Sequence, residues 1–154
     1  MLEENNLITI KQYNSLCEEA KHIRMEVFVK EQGFKDEFDE WDNKVSHVVL
    51  FVDGKAAGTG RLLPGKSNKI FIIGRVAVLK KYRKLHLGSK IISALEEMAK
   101  TLGGISIELS AQCTAQRFYE KLGYVASGEI YLDEFCKHIH MEKQLYGKEI
   151  NHVI

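Results

Sequence analysis

A basic stretch, AVLKKYRKLHLGSK at residues 77–90, carries the side chains best suited to holding an anion. It has five Lys or Arg residues, one His and one Gly between an apolar strand-like run and a helical pattern. A turn from strand to helix exposes unpaired backbone N–H groups, and the helix dipole adds partial positive charge there. Arg83, Lys84 and Lys90 would supply cations to a bound phosphate. The stretch therefore predicts an anion site, with a solvated helix start as the alternative.

The bulk composition limits what kind of protein this is. A chain of 154 residues, 45% hydrophobic and 28% charged, is expected to form one soluble domain, 1–154, with its own core. A formal net charge of +1 gives no broad basic surface for nucleic acid, so an anion site must be local. No apolar run approaches the roughly 20 residues that span a bilayer, and MLEENNLITI lacks the pattern of a signal peptide.

The cysteines indicate a reducing compartment. Cys17, Cys113 and Cys136 are odd in number, far apart and without a CxxC pair, which fits free thiols. We therefore expect a cytoplasmic protein with neither a membrane nor a nucleic-acid partner.

The spacing of apolar residues predicts the element order β-α-β-β-β-α-β-α-β-β. LITIKQY alternates as a strand, and a long amphipathic helix follows until Gly33. SHVVLFV and AAGTGRLL flank Asp53 and Gly54, a hairpin turn that requires positive φ. IFIIGRVAVL resembles a strand buried on both faces, and a helix with an apolar stripe from Leu87 to Leu102 comes next.

The second half of the pattern resembles two βαβ-like units closed by antiparallel strands. ISIELSA alternates as a strand, a short helix stops at Gly123, and YVASGEIYL and KHIHMEKQL are the closing strands. The predicted class is mixed α/β, and the order differs from that of a Rossmann fold.

An acidic and aromatic segment, FKDEFDEWDNK, fits neither period and is predicted to be a loop. Residues 34–41 could form a pocket for a cationic amine, because carboxylates attract the charge and rings pack its carbons. A solvated surface loop is the alternative we favour slightly.

Two sequence blocks resemble the GNAT N-acetyltransferase superfamily. RVAVLKKYRKLHLGSKII is similar to its acetyl-CoA-binding segment, a VAV-type strand followed by [R/Q]xxGxG/A, with Arg83 first, Gly88 last and His86 in the middle glycine position. AQCTAQRFYEKLGY is similar to its N-x-x-A-x-x-F-Y-x-x-x-G-F segment, with Gln112 in place of Asn. The resemblance covers nearly the whole chain. Within the superfamily, the chain resembles a small bacterial subgroup of acetyltransferases. It implies a mixed, mostly antiparallel sheet with splayed central strands and flanking helices.

The resemblance also implies how acetyl-CoA is bound as a co-substrate. The backbone of β-strand residues Val76 and Val78 would pair with pantetheine amides, a loop would cradle the pyrophosphate, and further side chains would line the arm. The implied binding residues are Val76, Ala77, Val78, Arg83, Lys84, Leu85, His86, Leu87, Gly88, Ser89, Gln112, Phe118 and Tyr119.

The implied reaction is direct attack of a neutral amine on the thioester, which requires an acid and a base. Tyr119 matches the general acid of the family, and its alternative role is in the apolar stripe of its helix. Glu108 is the candidate base because it faces away from its apolar strand neighbours; a salt-bridged strand carboxylate is the alternative. Glu31, Glu26 and a water chain remain open as bases.

Several further interpretations remain open at the level of sequence. His138 and His140 share a strand face, but no third ligand has suitable spacing, so no metal is expected. The acceptor would be the amine of a small molecule, less often of a protein. A non-catalytic acetyl-CoA sensor and an acyl-homoserine-lactone-synthase-like acyltransferase are the alternative functions. Exposed closing strands and the tail YGKEINHVI suggest a possible homodimer.

Overall fold

The computed structural model describes residues 6–146 of the chain. The strands are β1 Ile8–Tyr13, β2 Ser46–Val52, β3 Lys55–Pro64, β4 Ile70–Val78, β5 Ser106–Gln112, β6 Val125–Asp133 and β7 Cys136–Gln144. The α-helices are α1 Glu18–Arg24, α2 Leu87–Thr101 and α3 Gln116–Lys121. A π-helical segment, Met25–Glu31, continues α1, and short 3-10 turns cover Glu40–Asn43, Lys80–Tyr82 and Cys113–Ala115. Apart from Tyr146, the tail YGKEINHVI lies outside the described residues.

The predicted mixed α/β fold is confirmed. The seven described strands form a mostly antiparallel sheet in the order β1-β2-β3-β4-β5-β7-β6. The predicted order of strands and main helices is also correct. No helix among residues 6–146 combines the length and apolar character needed to cross a membrane.

One compact unit contains the chain up to Leu63 together with Ile73–Leu95. Within it, β1, β2 and β3 form an antiparallel meander. Asp53 and Gly54 make the predicted turn with φ of 50° and 82°, the left-handed values that a tight hairpin requires. The core of this unit includes the buried side chains of β2 and those of α2 up to Leu95.

The second compact unit contains Pro64–Ile72 and the chain from Glu96 onward. The first residues of β4 pair in parallel with β5, and this register covers Ile70–Ile72. β7 then pairs antiparallel with both β5 and β6. β5 and β6 therefore run parallel to each other and are joined through α3, as the predicted second βαβ-like unit requires, but β7 lies between them in the sheet.

Strand β4 is only partly buried, contrary to the prediction of a strand buried on both faces. Ile73 and Ala77 are its buried members, and the other side chains are intermediate. Arg75, between them, has φ 51°, a left-handed value that interrupts the extended backbone. The backbone of β4 is therefore not uniformly extended through the middle of the strand.

Helix α2 has the predicted apolar face, with one correction. Leu87, Ile91 and Leu95 are almost completely buried, whereas Leu102 is 60% exposed. Leu102 follows the last helical residue, so its position no longer continues the stripe. Gly103 has φ 90° and ends the helix, as the sequence indicated.

Candidate active site

The segment at residues 83–90, which we call the basic loop, leads from the end of β4 into the first turn of helix α2 and has a strained backbone. Lys84 and His86 have φ of 75° and 60°, which non-glycine residues rarely adopt. His86 occupies the position where the resembling motif has its middle glycine, and the left-handed backbone gives a physical reason for glycine there. The Ser89 hydroxyl donates to the His86 carbonyl oxygen at 2.9 Å, which closes the turn onto the start of α2.

Arg83 is held within the protein by three hydrogen bonds. Its Nε donates to the Val78 carbonyl oxygen at 2.9 Å, and its two Nη atoms donate to the two carboxylate oxygens of Glu31, each at 2.7 Å. The Arg83 guanidinium lowers the pKa of Glu31 below its ordinary value. Among residues 6–146, Lys84 and Lys90 form no ion pair. Arg83 is therefore an anchor of the basic loop, while the two lysines carry charge toward solvent.

The segment of β4 that precedes the basic loop is fixed closely against its neighbours. Gly58 of β3 faces it: a Cβ there would lie 2.7 Å from the Ile91 side chain and 3.1 Å from the Ala77 carbonyl oxygen. Arg75 donates from Nε and Nη2 to the Glu37 carbonyl oxygen, at 3.2 and 2.8 Å. The left-handed residue immediately before Val76 is therefore tied in place by its own side chain.

An extensive set of charged side chains surrounds the contact between Arg75 and Glu37. This arginine–carboxylate network consists of Arg24, Glu37, Asp39, Asp42, Arg61 and Arg75. Its centre, Arg24, is completely buried and donates to Glu37 at 2.9 Å and to Asp42 at 2.7 Å. Within residues 34–41, Glu37 is buried and the Asp39 side chain is 32% exposed, and both pair with arginines distant in sequence. Asp36 and Glu40 are exposed, so the prediction of a solvated loop holds for only part of the segment.

The pKa values of the network follow from burial and pairing. Hydrogen bonds from Arg61 lower the pKa of Asp39 to about 2. Burial raises the pKa of Glu37 despite the neighbouring Arg75 and Arg24. Burial also disfavours the charged form of His47, and so it lowers the pKa of that ring, which is neutral. The His47 Nε2 lies 2.8 Å from the Asp42 carbonyl oxygen and donates its proton to it.

Tyr119 lies in α3, in the second unit, on a small aromatic cluster. Its ring contacts Phe118 and Tyr124 edge to face, with centroids 4.9 and 5.8 Å apart. Burial raises the pKa of Tyr119 to about 12, so its phenol keeps its proton at neutral pH. The Tyr124 hydroxyl instead donates to Glu96 at 2.7 Å. Among the described tyrosines of this cluster, Tyr119 is the one without a carboxylate acceptor.

Glu108 stands in the middle of β5 on the face opposite Ile107 and Leu109, which are both buried. Its carboxylate lies 4.0 Å from Lys66 Nζ and is largely buried. Glu108, His140 and Glu142 each offer one atom that could ligate a metal ion, and these three atoms lie within 4.8 Å of one another. Sequence spacing missed this group, because only the antiparallel register of β5 with β7 places Glu142 opposite Glu108.

The two other carboxylates considered as bases are already paired. Glu26 accepts from Lys30 at 2.8 Å, and Glu31 accepts from Arg83. Both pairings lower the pKa of the carboxylate, which makes each a weaker proton acceptor.

One further motif, GRLLPGKS at residues 60–67, matches the letters GxxxxGK[ST] of a phosphate-binding P-loop. A P-loop passes from a strand into a helix. Here the first residues belong to β3, and the following turn leads to strand β4, with Gly65 N–H donating to the Ile70 carbonyl oxygen at 2.8 Å. The structural context therefore excludes a P-loop at this position.

Comparison with known proteins identifies the family of this chain. The family model for the acetyltransferase (GNAT) domain matches residues 13–145. The Bacillus subtilis protein YyaT is 38% identical over 82% of this chain and 88% of its own, and the B. subtilis N-acetyltransferase YjcF is 37% identical over 81% and 90%. A crystal structure of an N-acetyltransferase from Lactobacillus plantarum has a TM-score of 0.82 and 32% identity over 90% of this chain and 98% of that one. Escherichia coli ElaA shares the fold, with a TM-score of 0.79 and 23% identity over 90% and 100%. The chain belongs to the GNAT acetyltransferase family.

Proposed function

We propose that this GNAT domain, 1–154, transfers the acetyl group of acetyl-CoA to a primary amine of a small-molecule acceptor. The observation that carries the proposal is the basic loop, whose left-handed residues Lys84 and His86 lead directly into helix α2. Backbone N–H groups at such a turn, with the positive end of a 15-residue helix, favour a diphosphate. Free thiols at the described cysteines fit a reducing compartment, and we propose the cytoplasm.

The pantetheine arm is proposed to pair with the backbone of Val76 and Val78. Parallel pairing of β4 with β5 covers Ile70–Ile72, ahead of these residues. The left-handed Arg75 changes the backbone direction immediately before them. Gln112 and Phe118 are the further proposed contacts of the arm, and Ala77, Leu85, Leu87 and Gly88 complete the backbone that would face it.

The proposed chemistry needs three functions from the protein. The N–H near Val76 stabilises negative charge on the thioester oxygen when the amine nitrogen attacks the carbonyl carbon. Glu108, directly or through water, accepts the proton that the ammonium must lose. As the carbon–sulfur bond breaks, Tyr119 donates its phenolic proton to the departing thiolate, which its raised pKa allows at neutral pH. The nitrogen loses its second proton as the amide forms, and that proton, passed through water, restores the Tyr119 phenol.

The first test is thermal unfolding with and without acetyl-CoA. Acetyl-CoA at 100 times its dissociation constant should add about 2.7 kcal/mol of stability. For a domain of this size that is a rise in melting temperature of several degrees, at roughly 2–4 °C per kcal/mol. The absence of a rise would contradict the proposal at its first step.

The second test separates catalysis from binding alone. Tyr119→Phe should reduce turnover by about 100-fold or more, as loss of a general acid does, while the acetyl-CoA-induced melting shift persists. Tyr146→Phe, which removes a hydroxyl elsewhere in the same unit, is the matched control. Binding without turnover for any amine in the wild-type protein would instead support the acetyl-CoA sensor.

A further inference from the structure

We infer that Glu31 is a positioning residue for acetyl-CoA, acting through Arg83. The inference rests on the proposed function and adds a residue outside the binding motif, 52 positions away from Arg83 in sequence. Glu31 holds the guanidinium that anchors the start of the basic loop, and the anchored loop presents its backbone N–H groups to the pyrophosphate.

The geometry of Arg83 carries the first step. Its side chain turns back across the short 3-10 turn Lys80–Tyr82, where Nε donates to the Val78 carbonyl oxygen at 2.9 Å. The two Nη atoms meet the Glu31 carboxylate in a bidentate pair, which fixes direction as well as distance. Arg83 therefore joins three segments: the end of β4, the π-helical segment and the basic loop.

The π-helical segment gives Glu31 a firm base. Val27 and Phe28 of this segment are buried, and the Phe28 ring packs edge to face on Phe34 with centroids 6.4 Å apart. The Gln32 N–H donates to the Val27 carbonyl oxygen at 3.0 Å, the i-to-i−5 bond of π geometry. An α-helix over these residues would turn Glu31 by a different angle, and π segments are often found at functional sites.

The strain in the basic loop explains why an anchor is needed. Lys84 and His86 both hold left-handed backbones, and a residue at φ near 60° persists only where its surroundings fix it. Arg83 is the residue immediately before this strained pair. Without Glu31, the guanidinium would retain only its bond to Val78, and the loop would be free to relax toward ordinary backbone angles.

The direction in which acetyl-CoA affinity changes when Glu31 is removed distinguishes a positioning role from a competing one. A Glu31 that competed with the pyrophosphate for Arg83 would weaken acetyl-CoA binding, so its removal would tighten binding. A Glu31 that positions the loop strengthens binding, so its removal weakens it. We expect the second sign, because the Val78 carbonyl and both carboxylate oxygens of Glu31 together orient the guanidinium away from the role of a direct phosphate ligand.

The experiment is calorimetric titration of acetyl-CoA into wild-type protein, Glu31→Gln, Arg83→Gln and the double variant. Each single variant should weaken binding by about fivefold, the upper range for an exposed ion pair, and the double variant should be little weaker than either. In turnover, Glu31→Gln should raise KM for acetyl-CoA and leave kcat unchanged. Glu31→Asp, which keeps the charge, should recover part of the affinity.

Glu26→Gln is the matched control for binding. Glu26 belongs to the same π-helical segment, its side chain is 37% exposed like that of Glu31, and its partner is Lys30 instead of Arg83. It should leave the affinity for acetyl-CoA unchanged. Unchanged or tighter binding by Glu31→Gln, or strictly additive effects in the double variant, would overturn the inference alone. Failure of the wild-type protein to bind would overturn the proposed function and this inference with it.

Discussion

The arginine–carboxylate network and the basic loop are the two charge-rich regions of the first unit, and they use their charges in opposite ways. In the network, Arg24 is completely buried and every charged member has an ionic partner of opposite sign. In the basic loop, Arg83 is paired, but Lys84 and Lys90 form no ion pair with any described residue. Charge density in the sequence does not distinguish the structural cluster from the proposed binding surface, whereas the distribution of counter-charges in the structure does.

The two regions also differ in where they place backbone strain. The network binds Arg75 at φ 51° through its side chain, next to the proposed oxyanion position. The basic loop has two left-handed residues held mainly at one end, by Arg83. We interpret the network as a rigid support and the loop as a surface that is poised but incompletely supported until an anion binds.

The largest expected effect is the loss of stability when the arginine–carboxylate network is broken. Arg24→Met should lower the free energy of unfolding by about 3–5 kcal/mol, because Glu37 and Asp42 would stay buried with a partner removed. Urea unfolding measures this. Lys30→Met removes one side of the exposed pair with Glu26 and should change stability by no more than about 0.5 kcal/mol. A cost below about 1 kcal/mol for Arg24→Met would remove the contrast between buried and exposed pairs.

The next effect is a dependence of stability on acid. The folded-state pKa of Asp39 is about 2 against an ordinary value of 3.8. Its contribution is therefore fully present above about pH 4 and is lost as the pH falls through about 2. The shift amounts to on the order of 1–2 kcal/mol after allowance for partial exposure. The urea midpoint should fall as the pH is lowered from 5 to 2, and this fall should be smaller in Asp39→Asn. An equal dependence of the midpoint on pH in both proteins would contradict the contribution assigned to Asp39.

The contribution of Glu37 to stability has the opposite pH dependence within the same network. Because burial raises its folded-state pKa, its contribution is fully present below the ordinary value of 4.5 and is lost as the pH rises through the folded value. The network should therefore contribute most in mildly acidic solution, between the ranges in which Asp39 and Glu37 titrate.

A smaller effect concerns the lysines of the basic loop. Lys84→Gln with Lys90→Gln should weaken acetyl-CoA binding by about fivefold at low salt and reduce its dependence on salt, because exposed charges are screened. Unfolding free energy should change by less than about 0.5 kcal/mol. Lys55→Gln, an exposed lysine of the β2–β3 hairpin, is the control. Unchanged affinity and salt dependence in the double variant would mean that the loop binds by backbone groups alone.

Sequence patterns predicted most of the fold because its elements carry local signals. The turn at Asp53 and Gly54, the end of α2 at Gly103 and the alternation in β1 and β5 each follow from neighbouring residues. The motif around residues 83–89 located a strand-to-helix loop correctly. These features depend on backbone preference and hydrophobic period, which a single sequence contains.

The missed features depend on distant partners. No pattern indicates that Glu31 meets Arg83 or that Arg24 meets Asp42, because these pairs are 52 and 18 positions apart. The position of β7 between β5 and β6 is likewise a choice of topology. It brings Glu142 opposite Glu108, which strand alternation alone does not predict.

The smallest expected effect tests the strain in the basic loop itself. His86→Gly removes the Cβ from a left-handed residue, which saves about 1–2 kcal/mol, and adds unfolded-state entropy worth about 0.4–1 kcal/mol. The net result should be a gain of about 0.5 kcal/mol in unfolding free energy by urea titration. Ser89→Gly, three residues later inside α2, should instead lose at least about 0.5 kcal/mol, because glycine disfavours a helix and the hydrogen bond to the His86 carbonyl oxygen is lost. Opposite signs at these two positions would place the strain at His86. A loss of stability in both would mean that the imidazole contributes more to the loop than its backbone angle costs, and the basic loop would then be as well supported as the network.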